Sequence, residues 1–131
     1  MSAESVLIVL PLPSGLLSPN HTGGSFGGRM QKMRAIKSYR AKARAAAEEQ
    51  GVESGPWERA TVSVTFFHGQ KRRRDDVNAL ASLKPAYDGL VDARLLVDDD
   101  HEHLVTLGCR FEIDRKAPRV ELLVTRVAAE D

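Results

Sequence analysis

Little in this chain offers a covalent staple, a membrane anchor or a large stacking surface. A single cysteine, Cys109, excludes an intrachain disulfide framework and any cysteine-based zinc finger. It sits among alternating apolar residues, so it is expected to be a core residue and not a nucleophile. No apolar run approaches the roughly 18 residues of a membrane span. The first such run, Val6 to Leu10, has no basic segment before it and stops at Pro11, so it reads as a strand and not a secretory leader. These features lead us to expect a cytoplasmic protein with no membrane partner. Aromatics number seven, of which one is Trp57, and that is thin support for single-strand binding by base stacking. Trp57 itself is expected in the core, from a loop or strand edge. Collagen-like and coiled-coil composition are absent, as are internal repeats and linker-like segments. What remains is ordinary globular composition, 42% hydrophobic and 28% charged. Residues 1–131 are therefore read as one domain, long enough to bury a core unaided.

The net charge of +1 conceals a strong segregation. Arg29, Lys32, Arg34, Lys37, Arg40, Lys42 and Arg44 follow one another with no acid between them. Lys71, Arg72, Arg73 and Arg74 form a second basic block. Between Asp88 and Glu102 stand six acids against the single base Arg94. Basic blocks suit a polyanion, and clustered carboxylates suit a hard cation.

Val6 to Leu10 is apolar throughout and is predicted to be a buried strand. Pro11 to Gly28, rich in proline and glycine, reads as a long loop. Arg29 to about Gln50 lacks both residues and is rich in alanine, so a helix is predicted. Its apolar stripe would be Met33, Ile36, Tyr39, Ala43 and Ala46. Arg59 to Phe67 alternates in polarity, as a strand with one face on the core does. A second helix is expected from Asp75 or Asp76, either being a good N-cap, with Val77, Leu80, Leu83, Tyr87 and Leu90 inward. Pro85 should kink or interrupt it. Val105, Leu107, Cys109, Phe111 and Ile113 alternate strictly with polar residues and predict a third strand. Asp114 to Pro118 is a turn and Arg119 to Val127 a returning strand. The order β-α-β-α-β-β predicts an α/β (α+β) fold: a single mixed sheet of about four strands with two main helices.

The densest chemistry lies in Arg72-Arg-Arg-Asp-Asp-Val-Asn78, Lys84, Asp88 and Asp98-Asp-Asp100. Two readings stand side by side. Asp75 and Asp76 are caps and Asp98 to Asp100 a solvated loop; or the two loops flanking the helix converge and several carboxylates hold Mg²⁺. Such an ion would serve in-line attack on a phosphodiester, with Lys84 at the leaving oxygen and the arginines on the backbone. His101-Glu102-His103 resembles a transition-metal cluster if the segment is extended, since His101 and His103 would then share a face. Exposed histidines beside a strand start are the commoner case. His21 and His68 carry no signal of their own.

In combination, Arg74-Asp75-x-x-Asn78, Lys84, Asp88-Gly-Leu90 and Leu96-Val-Asp-Asp99 resemble the RusA family of Holliday-junction resolvases, found in phages and their bacterial hosts. Leu10-Pro-Leu-Pro-Ser14 is similar to that family's first strand and proline loop. The resemblance spans most of the chain and agrees with the element order. It implies a homodimeric, Mg²⁺-dependent endonuclease, with Mn²⁺ able to substitute, that nicks four-way or branched DNA symmetrically and needs no nucleotide cofactor. It implies Asp75, Lys84 and Asp99 as catalytic residues, and Asp75, Asp76, Asp98 and Asp99 as metal ligands. Asn78 completes the motif. Arg29, Lys32, Lys37, Arg40, Lys71, Arg72, Arg73 and Arg74 are then the expected DNA contacts. The sequence departs from the family at Val77, where a second acid is usual; Asp76 stands one residue earlier. The rival expectation is a branched-DNA-binding protein that does not cut.

Overall fold

The computed structural model describes residues 4–128. Four strands form one sheet in the order β1-β4-β2-β3: β1 (Ser5–Leu10), β2 (Ala60–His68), β3 (Leu104–Ile113) and β4 (Arg119–Arg126). β4 lies antiparallel between β1 and β2, while β2 and β3 are parallel, so the sheet is mixed. A parallel neighbour cannot be reached by a hairpin. The chain crosses from β2 to β3 through two short helices, α2 (Asp76–Ala81) and α3 (Lys84–Asp92). The long helix α1 (Phe26–Glu49) makes the earlier crossing, from β1 to β2.

Register builds the core. Val6, Ile8 and Leu10 oppose Val124, Leu122 and Val120, and these in turn oppose Val62, Val64 and Phe66. All nine are buried on the helical side. Their alternates Leu7, Val9 and Leu123 are 42–47% exposed. β1 is therefore buried on one face only, where a continuous apolar run had predicted burial on both. Below the sheet, Leu83, Ala86 and Leu90 are fully buried, with Tyr39, Ala43 and Ala47 from α1. α1 and α3 approach closely at Gly89: a Cβ there would stand 2.3 Å from the Arg40 carbonyl oxygen and 2.9 Å from Ala43 Cβ.

Three other expectations are corrected. α1 begins at Phe26, not Arg29, because Ser25 caps it by accepting from the Gly28 N–H at 3.0 Å. Gly28 belongs there because its Cα faces Gly23, whose carbonyl oxygen would lie 1.9 Å from any Cβ. The stripe on α1 is buried only in its second half; Met33 is 62% exposed and Ile36 lies at the surface too. Strict alternation fails in β3. Thr106 pairs with Val62 but Gly108 with Ser63, so Leu107 is an extra residue, a bulge that flips the pattern. Leu104, Cys109 and Phe111 face the core side, whereas Val105 and Leu107 are exposed. Pro85 interrupts the second helix as expected, standing in the first turn of α3, where its missing N–H costs nothing. No helix among the described residues is long and apolar enough to cross a membrane.

Candidate active site

Lys84 opens α3 and Asp99 lies in the loop before β3, yet Lys84 Nζ donates to Asp99 Oδ2 at 2.5 Å. The same ammonium donates to Asp88 Oδ1 at 3.0 Å, one helical turn on. Two carboxylates thus hold one cation, and the hydrogen bond to Asp99, followed by that to Asp88, raises the Lys84 pKa above its ordinary value. The Asp99 side chain is 12% exposed, so this pair sits partly out of water. Beside it is Tyr87. Burial pushes the phenol up to about 12, and the charges of Cys109 and Asp99 add to the effect. Thr106 is near enough to oppose that rise, but no partner of normal geometry reaches the Tyr87 hydroxyl, which is buried.

Asp75 and Asp76 part company at the start of α2. Asp75 is the N-cap: its Oδ1 accepts from the N–H groups of Val77 at 3.0 Å and Asn78 at 3.4 Å. Its Oδ2 accepts from Asn78 Nδ2 at 3.2 Å. Both oxygens are therefore engaged, and Asn78 is the residue that orients Asp75. Asp76 caps nothing. Its charge acts on Cys109, whose thiol is raised first by burial and then by Asp76. Beyond burial, Cys109 and Asp99 in turn both raise the Tyr87 phenol. Val77 is 70% exposed and does not join the stripe predicted for it.

The acidic loop divides as well. Asp98 Oδ1 accepts from the Asp99 N–H at 2.7 Å. Asp98, Asp100 and His103 bring ligand atoms within 4.8 Å of one another. No group of this kind among the described residues includes Asp75, Asp76 or Asp99. Residues 101–103 form a turn and not an extended segment, so the shared face expected for His101 and His103 does not arise. His103 instead meets Asp100 through Nδ1 at 2.6 Å, which raises the imidazole pKa and lowers that of the carboxyl. Sequence reading missed Asp100 and His103 as a pair. Their three-residue spacing in a turn was the available signal.

The basic residues sort by whether the fold already uses them. Arg40 is taken: its guanidinium grips Asp92 in a two-pronged pair at 2.5 and 2.8 Å, locking α1 to α3. Lys32 is taken too, donating to the carbonyls of Ser18 and His21 and so tying the proline-rich loop to α1. Arg74 reaches the Gln70 carbonyl at 3.2 Å, and Arg72 the Gln70 side chain at 3.2 Å. Arg29, Lys37, Lys71 and Arg73 are exposed and make no ion pair among the described residues. The DNA contacts expected of Lys32 and Arg40 thus compete with structural duties. Arg72 and Arg74 are held locally by Gln70, and Arg29, Lys37, Lys71 and Arg73 have no such duty among the described residues.

No known family model matches the chain, and no curated protein sequence matches it.

Proposed function

We propose that this protein is a Mg²⁺-dependent endonuclease that cuts four-way and related branched DNA by paired symmetric nicks. The observation that carries the reading is the clasp of Lys84 between Asp99 and Asp88, beside the exposed carboxylate of Asp98, in a chain whose cations Lys71 and Arg73 are exposed and make no ion pair among the described residues. A cation held against partly desolvated carboxylates is what phosphodiester hydrolysis asks for: it can neutralise charge on a non-bridging or leaving oxygen. Asp98 and Asp100, whose ligand atoms lie within 4.8 Å of each other and of His103, are the carboxylates that would hold Mg²⁺, with Asp99 next to them in the same loop and Mn²⁺ able to substitute. When bound, the ion supplies an activated water and offsets phosphate charge. Asp75, oriented by Asn78 and the α2 backbone, keeps the start of α2 rigid and presents its carboxylate beside the basic loop. Lys84, kept protonated by its two partners, supplies positive charge to the departing oxygen.

Two equivalent nicks require two equivalent sites, so the active species is a homodimer. The outer face of the sheet, with Leu7, Val9, Leu123, Val105 and Leu107 exposed and no helix over it, supports self-association.

A non-cutting branched-DNA-binding protein is the second reading. It is favoured by the full engagement of Asp75 as a cap and by Val77 at the position of the family's second acid. One experiment separates the two. Labelled four-way junction, fork and duplex are incubated with the full chain in Mg²⁺ and in EDTA. Symmetric nicks in the junction, Mg²⁺-dependent and absent from the duplex, are expected. Junction retention without nicks in either Mg²⁺ or Mn²⁺ establishes the second reading.

A further inference from the structure

Three rings meet where β2 and β3 end. Phe66 and Phe111 stack with centroids 5.4 Å apart and planes 20° apart. His68 stands 6.2 Å from Phe66 and 6.1 Å from Phe111, at 14° and 28°. Phe66 is buried behind, while His68 and Phe111 are only partly covered. Together they help line a cavity of about 210 Å³ that Leu12 and Pro13 of the proline-rich loop also line. Arg74 and Asp75 belong to the same lining. Burial, and then the nearby Arg74 charge, lower the His68 pKa, so the imidazole is a neutral flat surface at physiological pH.

We propose that this cavity receives one unstacked nucleobase of the strand being cut. The proposal rests on the endonuclease reading above and adds a subsite to it. Size argues for a single ring system: the space is below the ~300 Å³ at which pockets begin to take drug-sized ligands. Chemistry argues for a flat aromatic one, since three aromatic side chains line the space together and every base has a π-face to pack on them. Position argues for DNA as its source. The lining includes Arg74, from the basic block that would hold the phosphate backbone, and Asp75, at the start of α2. A base turned out of a junction arm into this cavity would bring its own phosphate close to that basic block. Junction centres supply such bases at low cost, because stacking is already interrupted there.

The test uses the full chain and synthetic four-way junctions. Nick positions are first mapped on the intact junction in Mg²⁺. The nucleotides flanking the nick are then replaced, one at a time, by an abasic site, and equilibrium binding is measured in EDTA. Loss of one particular base should weaken binding roughly 5- to 150-fold, the range of one base–aromatic stack. The same loss should shrink below about twofold in Phe111→Leu, which keeps the apolar bulk but removes the ring. His68→Leu serves the same purpose on a less central position and decides the matter if Phe111→Leu does not fold. Abasic and intact junctions bound equally by the unaltered protein would overturn the cavity assignment, and so would a penalty that persists in both variants. Those results leave nicking in place; a protein that neither retains nor nicks the intact junction overturns the endonuclease reading and the subsite together.

Discussion

Lys84 and Asp99 are separated by 15 residues and joined by a hydrogen bond of 2.5 Å. The contact closes the crossover between the parallel strands β2 and β3, because Lys84 starts α3 and Asp99 lies one loop before β3. It gives the two residues different expected phenotypes. Asp99→Asn removes the negative charge but keeps a polar partner for Lys84. Nicking should be abolished while junction binding survives or tightens, since a carboxylate without its cation repels phosphate. Lys84→Ala should lower the nicking rate by orders of magnitude and binding by much less, one phosphate contact among many being a small share of affinity. Gel-shift and nicking rates on one labelled junction measure both. Equal losses in binding and rate would make Lys84 only a DNA contact.

The salt dependence of binding should report which cations touch phosphate. Lys71, Arg73, Arg29 and Lys37 are exposed and make no ion pair among the described residues, so neutralising them in turn should each flatten the log–log slope by about 0.9. Arg40→Gln should act differently. It breaks the pair with Asp92 between α1 and α3, so it should lower the melting temperature with little change of slope. A slope change at Arg40 equal to that at Arg73 would show the Asp92 pair to open on DNA.

Much of the fold was legible in the sequence, and its failures have local causes. The element order, the break at Pro85 and the sheet class follow from periodicity and proline chemistry alone. The strict alternation from Val105 to Ile113 was misleading because a bulge at Leu107 reverses which residues face inward; Gly108 beside it, a glycine inside a strand pattern, was the available signal. Met33 and Ile36 fit a helical stripe, but burial depends on how far the sheet extends beneath the helix, a tertiary fact. At the site, Asp75 as a cap was readable from its position before an apolar-periodic run. The convergence of Lys84 and the acidic loop was one of two open readings of the residues, and only the resemblance favoured it, since composition carries no information on how two loops meet. The ring cluster of Phe66, His68 and Phe111 was invisible, because two of its members are paired across strands whose register the sequence did not supply.

Two histidines should titrate in opposite directions. Asp100, and then Glu58 and Asp98, hold His103 above the ordinary 6.5, while burial and Arg74 hold His68 below it. For His103, whose folded pKa is raised, the stabilisation is complete below 6.5 and disappears as pH rises through the folded value. For His68, whose folded pKa is lowered, the contribution is present above 6.5 and is lost as pH falls through the folded value. Imidazole NMR titrations in EDTA should give one midpoint on each side of 6.5. His103→Gln should lower the melting temperature more at pH ~6 than at pH ~8.5, and His68→Gln should do the reverse or nothing. Coincident midpoints would mean that neither environment persists in solution.

The adjacent pair Asp75 and Asp76 separates a structural carboxylate from a chemical one. Asp75 spends both oxygens on the α2 backbone and on Asn78, so Asp75→Ala should cost about 1 kcal/mol of stability, the usual value of an N-cap. Asp75→Asn can still cap and should cost only a few tenths. Asp76 makes no such bonds; it is exposed, and its charge helps raise the Cys109 thiol. Asp76→Asn should therefore leave the melting temperature unchanged and lower Mg²⁺-dependent nicking at least as much as Asp75→Asn does. Resemblance alone argues the other order, since it equates Asp75 with the first acid of the family and leaves Asp76 without a counterpart. Val77→Asp completes the comparison. The side chain is 70% exposed, so an added carboxylate meets water and not the core, and it lies in the first turn of α2, where an acid is tolerated. The variant should fold as the parent does, and nicking should hold or rise as the second acid is restored. Nicking rates and melting curves for the four variants decide the register. Should Val77→Asp fold normally and cut less, a second acid at that position interferes with a site already built around Asp76.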